Sequence, residues 1–149
     1  EVMERDVVHH PGAVAVVALD GDEVVLVRQY RPVLEREMLE LPAGKLDVPG
    51  EDRPTAARRE LVEEAGLDAV DLIELGSFHN SIGFSDEATT IYLATELVPA
   101  TPLAASIEEE YLTVVRVGLG EVEGLVGDGT ITDAKTILGL LWTLRRLGR

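Results

Sequence analysis

Glu60, Glu63 and Glu64 stand three and four positions apart in the run TAARRELVEEA, Thr55 to Ala65. These residues are mostly strong helix formers, and Gly66 sits where a left-handed C-terminal cap belongs. Asp52 supplies an N-cap and Pro54 suits a first turn, so a helix is expected from there to Ala65. That spacing puts the three carboxylates on one face. Ala57, Leu61 and Ala65 form an adjoining apolar stripe that would dock the helix on a core. A glutamate-rich face is ordinarily just solvated, and Arg59 with Glu63 reads equally as a surface i,i+4 pair. Like charges so placed cost an isolated helix roughly a few tenths of a kcal/mol per pair. A hard divalent cation reverses that penalty, because Mg²⁺ favours a few carboxylates together with water and substrate phosphates. Clustered glutamates behind a glycine-marked loop therefore point to a metal site for phosphate chemistry, toward which Glu51 can also lean.

The rest of the composition bounds this reading. At 149 residues, with 46% hydrophobic and 28% charged residues, the chain is expected to form one domain spanning 1–149. It holds no apolar run long enough to cross a membrane and no signal-peptide pattern, and it begins on Glu1. With no cysteine there are no disulfides, thiolate metal sites or cysteine nucleophile. A cytoplasmic location is expected. The net charge of −15 argues against nucleic acid, whose phosphates would be repelled. It also requires that any anionic substrate be met by metal ions and a few well-placed arginines.

In chain order, Ala13–Leu19 reads as a buried strand, Asp20-Gly21 as a hairpin turn and Glu23–Gln29 as the return strand, ended by Tyr30, Arg31 and Pro32. Leu34–Glu37 reads as loop and Met38–Leu41 as a short strand. Beyond the glutamate helix, strands are expected at Asp71–Phe78, Thr89–Glu96 and Tyr111–Val117. In the middle one, Ile91 and Leu93 share one face, while Thr90 and Tyr92 make a wetter side. Gly118–Gly129 should contain a short helix. Thr132 or Asp133 caps a last helix whose Ile137, Leu138, Leu141, Trp142 and Leu144 form a wide apolar face, with Arg145 and Arg146 suiting its C-terminal dipole. Trp142 is expected in the core. Strands mixed with two substantial helices give an α+β fold, an α/β/α sandwich.

Gly44, Glu51, Arg59, Glu60, Leu61, Glu63, Glu64, Gly66 and Leu67 resemble the Nudix box, Gly-x5-Glu-x7-Arg-Glu-U-x-Glu-Glu-x-Gly-U, where U is aliphatic. One departure lies at its front, where six residues instead of five separate Gly44 from Glu51. The resemblance runs from about Val8 to Leu147 and implies the Nudix fold, a mixed sheet between helices, with hydrolysis of a nucleoside diphosphate linked to another moiety. VRQYRP (Val27–Pro32), ELPAGKLD (Glu40–Asp47), GFSDE (Gly83–Glu87) and DAKTILGLL (Asp133–Leu141) are similar to segments of the ADP-ribose pyrophosphatase branch. In that branch proline usually precedes Gly-Phe-Ser, whereas here the residue is Ile82.

The resemblance implies a Mg²⁺- or Mn²⁺-dependent attack of water on ADP-ribose, giving AMP and ribose 5-phosphate, with two or more ions bound. Glu60 and Glu64 are the expected metal ligands, Glu63 helps a further ion, the Ala43 carbonyl completes the sphere and Glu51 is an outer ligand. Arg59 is expected to orient Glu63 or Glu60, and Arg31 to clamp phosphate bidentately. The general base is implied on a later loop, at Glu108 or Glu110 within the run Glu108-Glu109-Glu110. Phe84, Ser85 and Glu87 are expected to contact the terminal ribose or to scaffold their loop, and Tyr30 to stack on adenine. His9, His10 and His79 are read as structural or loop residues. Ile82 keeps open another substrate, such as NADH, a sugar nucleotide or a dinucleoside polyphosphate. An ADP-ribose sensor that does not cleave its ligand is the remaining alternative. The resemblance also implies a homodimer, whose N-terminal strands are expected to be missing or truncated here.

Overall fold

An apolar run such as AVAVVAL is stable as a strand only if both its faces are covered. In the computed structural model, which describes residues 2–101 and 111–149, this run forms β1 (Ala13–Asp20), and Val14 to Ala18 are wholly buried. Next in order come β2 (Glu23–Arg31), β3 (Arg36–Glu40), β4 (Ala43–Lys45), α1 (Arg53–Ala65) and β5 (Leu67–His79). β6 (Ala88–Pro99), β7 (Thr113–Gly118), a 3-10 turn (Leu119–Glu121), α2 (Val122–Gly127) and α3 (Ala134–Leu147) follow.

The described strands make one mixed sheet of seven, with the path β3-β2-β1-β6-β5; β4 pairs with β1 and β7 with β2. β1 and β6 run parallel, and the other pairs are antiparallel. Strand alternation divides the core in two. Ala15 and Val17 join Leu26, Leu41, Ile91 and Leu93 beneath α3 and α2. Val14, Val16 and Ala18 join Val25, Tyr92 and Ala94 beneath Ala56, Ala57 and Leu61 of α1. The architecture is thus the expected sandwich, with α1 on one face and α2 and α3 on the other.

Asp52 caps α1 through a 2.9 Å bond from the Thr55 N–H, and Gly66 closes it at φ 66°. Several elements differ from the reading above. The face of β6 holding Thr90 and Tyr92 is dry, each residue being 3% exposed, because α1 covers it. β5 and β6 are longer than expected, since Leu67, Asp68 and Ala69 continue the ladder against Pro99, Val98 and Leu97. The strand placed at Met38–Leu41 is β3, Arg36–Glu40, and the Ala43–Lys45 segment read as loop is a strand on β1. The hairpin turn is Gly21-Asp22, because Asp20 pairs with Glu23.

In α3 the buried stripe is Thr136, Gly139, Leu140, Thr143 and Leu144, while Leu141 is 40% exposed. Gly139 explains this rotation. A Cβ there would stand 2.7 Å from Leu41 Cδ1 and 3.0 Å from Val17 Cγ2, so any side chain here would push on Leu41 and Val17 on the sheet side. Trp142 packs against the core over Gly76. Among the described residues no helix is long and apolar enough to cross a membrane.

The close approach of α3 yields a prediction. Gly139→Val should overpack this contact and destabilise the fold by about 1–3 kcal/mol, read from the midpoint of urea unfolding.

Candidate active site

Two groups of charged residues meet in one cleft of about 670 Å³. The first is built by α1 and β4. Gly44 lies directly against Glu60, and a Cβ there would overlap the Glu60 carboxyl group. The box glycine therefore makes room for the helix carboxylate. The loop before α1 contains a turn in which the Glu51 N–H bonds the Val48 carbonyl and Gly50 adopts φ 80°. From this loop Glu51 reaches Arg59.

Arg59 organises the acidic residues around itself. Its Nε and Nη2 donate to the two Glu51 oxygens at 2.9 and 3.0 Å. Its Nη1 donates to Glu60 at 2.7 Å and to Glu63 at 2.8 Å. The Glu51 bonds, with the neighbouring Glu60 and Glu63, hold this guanidinium still more firmly protonated than usual. Burial pushes the Glu60 carboxyl up, and Arg59 works against it. Glu64 lies apart from Arg59 and accepts only the Ala43 N–H, at 2.9 Å, among the described residues. Burial, opposed by that N–H and reinforced by the Glu60 charge, pushes Glu64 up to about 8. A half-buried carboxylate with one hydrogen-bond donor among the described residues is a site that a divalent cation stabilises.

The second group comes from β2, β3 and the start of α3. Glu40, only 3% exposed, receives Arg31 Nε at 2.6 Å and Nη2 at 2.7 Å on its two oxygens. Lys135 Nζ adds a bond to Glu40 Oε2 at 2.5 Å and one to Asp133 Oδ2 at 3.0 Å. Asp133 caps α3 through the Thr136 N–H at 3.0 Å and accepts the Thr136 hydroxyl at 2.6 Å. Thr136 Oγ1 in turn accepts the Leu41 N–H, so the end of β3 and the start of α3 are pinned together. Burial alone would raise Glu40, but Arg31 and Lys135 outweigh it and hold the carboxyl at about 2.

Of the residues singled out above, Arg31, Ala43, Arg59, Glu60, Glu63, Glu64 and Glu87 all line this cleft. Tyr30 and Phe84 do not line it and are 54% and 58% exposed. Ser85 scaffolds its loop, donating to the Val8 carbonyl at 3.0 Å and accepting the Glu87 N–H at 3.2 Å. Arg31 turns two donors to Glu40, and Glu51 turns both oxygens to Arg59. Glu108 and Glu110 lie outside the described residues. His10, read as a loop residue, borders the cleft, and its Nδ1 accepts the Gly12 N–H at 3.1 Å. Glu40 and Lys135 were not foreseen as a pair; the only signal was the Asp133 cap, which places Lys135 in the first turn of α3.

A sandwich with a helix-borne carboxylate cluster beside a group of cations defines a class of protein that handles phosphates with divalent ions. The chain belongs to the Nudix family, whose NUDIX domain model matches residues 8–136. It is 41% identical over 134 residues to an ADP-ribose pyrophosphatase of Bacillus subtilis, covering 89% of this chain and 72% of that protein. It is 40% identical over 141 residues to the ADP-ribose pyrophosphatase of Mycobacterium tuberculosis, covering 94% and 68%. A solved ADP compounds hydrolase superposes with a TM-score of 0.83 at 30% identity, covering 93% of this chain and 75% of that one. The family expected from the box, and the branch expected from VRQYRP, ELPAGKLD, GFSDE and DAKTILGLL, are those of these relatives.

The buried Glu40 gives a pH test. Its folded-state carboxyl lies below its ordinary 4.5, so its stabilisation is complete above pH 4.5 and is lost as pH falls toward 2. Glu40→Gln should therefore cost about 3 kcal/mol at pH 7 in urea unfolding, and that gap from the parent chain should close progressively below pH 4.5.

Proposed function

We propose that this chain hydrolyses the pyrophosphate of ADP-ribose to AMP and ribose 5-phosphate with the aid of divalent metal ions. The observation that carries the reading is the pairing of a complete glutamate helix, Glu60, Glu63 and Glu64 gathered about Arg59, with close ADP-ribose pyrophosphatase relatives over most of the chain. Enzymes of this branch depend on metal. The donor set here fits such an ion: hard oxygen ligands, one of them the Glu64 carboxyl, which desolvation raises to about 8.

Glu60 and Glu64 would hold Mg²⁺ or Mn²⁺ with the Ala43 carbonyl, and Glu63 a further ion. Bound there, the metal supplies charge neutralisation for the diphosphate and a more acidic water. Arg59 holds Glu60 and Glu63 in place, and a bound cation would compete with it for those carboxylates. Arg31, fixed by Glu40, presents its guanidinium edge to the phosphate oxygens. Glu108 or Glu110 takes the proton of the attacking water, a role that rests on the resemblance. Glu87, which lines the cleft, would contact the terminal ribose or support its loop, as the resemblance implies. Assembly as a homodimer and a cytoplasmic location belong to the same proposal and rest on the resemblance as well.

A second reading keeps the reaction and changes the leaving moiety. Ile82, 84% exposed in the loop preceding Gly83, is the observation in its favour, with NADH, sugar nucleotides or dinucleoside polyphosphates as substrates.

The test is turnover of ADP-ribose, NADH, GDP-mannose and diadenosine polyphosphates with Mg²⁺ and with Mn²⁺. ADP-ribose should give the largest kcat/KM, and a larger value for any other substrate selects the second reading. Glu64→Gln should lower kcat by about a hundred- to a thousandfold, the range seen when one charge-stabilising group is removed. In the same variant, the rise in melting temperature that Mg²⁺ gives the parent chain should disappear.

A further inference from the structure

Lys135 is one of two lysines in the chain, and the glutamate chemistry makes no use of it. Its Nζ rests on Glu40 and Asp133 at the edge of the cleft, with the side chain only 15% exposed. Both carboxylates have other partners as well. Arg31 already satisfies both oxygens of Glu40, and Asp133 already accepts the N–H and the hydroxyl of Thr136. Among the described residues the ammonium uses two of its three donors, which leaves one for a ligand. A long, flexible side chain is thus ordered beside the diphosphate site before any ligand binds, and such preorganisation favours binding.

We propose that Lys135 is a substrate-binding residue, forming with Arg31 a two-cation seat for the phosphate oxygens of a nucleoside diphosphate. Glu40 is the positioning residue that aims both cations. The inference rests on the hydrolase reading above and deepens it. In a chain of net charge −15, a second fixed cation at this place offsets the repulsion that an anion meets on approach.

The test uses the full chain with Mg²⁺ and the variants Lys135→Ala, Lys135→Gln and Lys135→Arg. Arg116→Ala, which removes an equal charge from an exposed pair with Asp20, is the control. KM for ADP-ribose and the calorimetric Kd for ADP should both rise about ten- to a hundredfold in the Ala and Gln variants, as loss of a charged hydrogen bond requires. The Arg variant should recover most of that loss. Arg116→Ala should stay within about twofold, and the Lys135 variants should stay folded, their melting temperature falling less than that of Glu40→Gln because Arg31 still pairs Glu40. The proposal is overturned if KM and Kd stay within twofold in the Ala and Gln variants, if Arg116→Ala changes them equally, or if only kcat falls. Failure of Lys135→Ala to fold also overturns it, since the lysine would then be structural. Because ADP binding is read without turnover, a parent chain that binds ADP but does not cleave ADP-ribose removes the hydrolase reading alone. A parent chain that binds no ADP removes both.

Discussion

Arg59 donates four hydrogen bonds to three carboxylates, and the order of the acidic cluster depends on them. Glu60 and Glu63 sit on one face of α1, where like charges repel, and Glu51 approaches from the preceding loop. A single guanidinium fork meets all three in the planar geometry that carboxylates favour. The helix itself can lie so close to β4 because Gly44 has no side chain to oppose Glu60. These two constraints place the glutamates at a cleft instead of on a solvated surface. A third, the two-faced burial of β1, holds α1 and α3 on opposite sides of one sheet, so that both helices can contribute to it.

The second organising group is built on different principles. Glu40 is buried, and its charge persists because Arg31 and Lys135 outweigh the desolvation. Around it, the Asp133 cap and Thr136 fix α3 to the end of β3. The acidic group therefore lacks positive charge around Glu64, whose carboxyl burial pushes up, whereas the basic group already carries the cations that an anion needs. Their nearness within one cleft is the electrostatic basis for binding a metal-complexed diphosphate on so acidic a protein.

Much of this was legible from the chain alone. Helix α1, both its caps and the carboxylate face follow from spacing and local propensity, and the buried strand β1 from its unbroken apolar run. The sequence reading failed where tertiary packing overrides local pattern. Thr90 and Tyr92 look like a wet face, yet α1 covers them. In α3 the large residues Leu141 and Trp142 draw attention, yet Gly139 sets the helix's rotation. The Arg31–Glu40–Lys135 group joins residues about a hundred positions apart, and no periodicity announces such a contact. Tyr30, near the end of β2, and Phe84, in the loop before β6, are exposed outside the cleft.

The central claim is that one cleft binds a metal-complexed diphosphate between the α1 glutamates and the Glu40-anchored cations. A crystal structure with Mg²⁺ and a non-hydrolysable ADP-ribose analogue tests it most directly. The account predicts metal on Glu60 and Glu64, with the diphosphate oxygens reaching toward Arg31 and Lys135. A diphosphate bound elsewhere, for instance beside Trp142, Arg145 and Arg146, with Glu60 and Glu63 still held by Arg59, would contradict it.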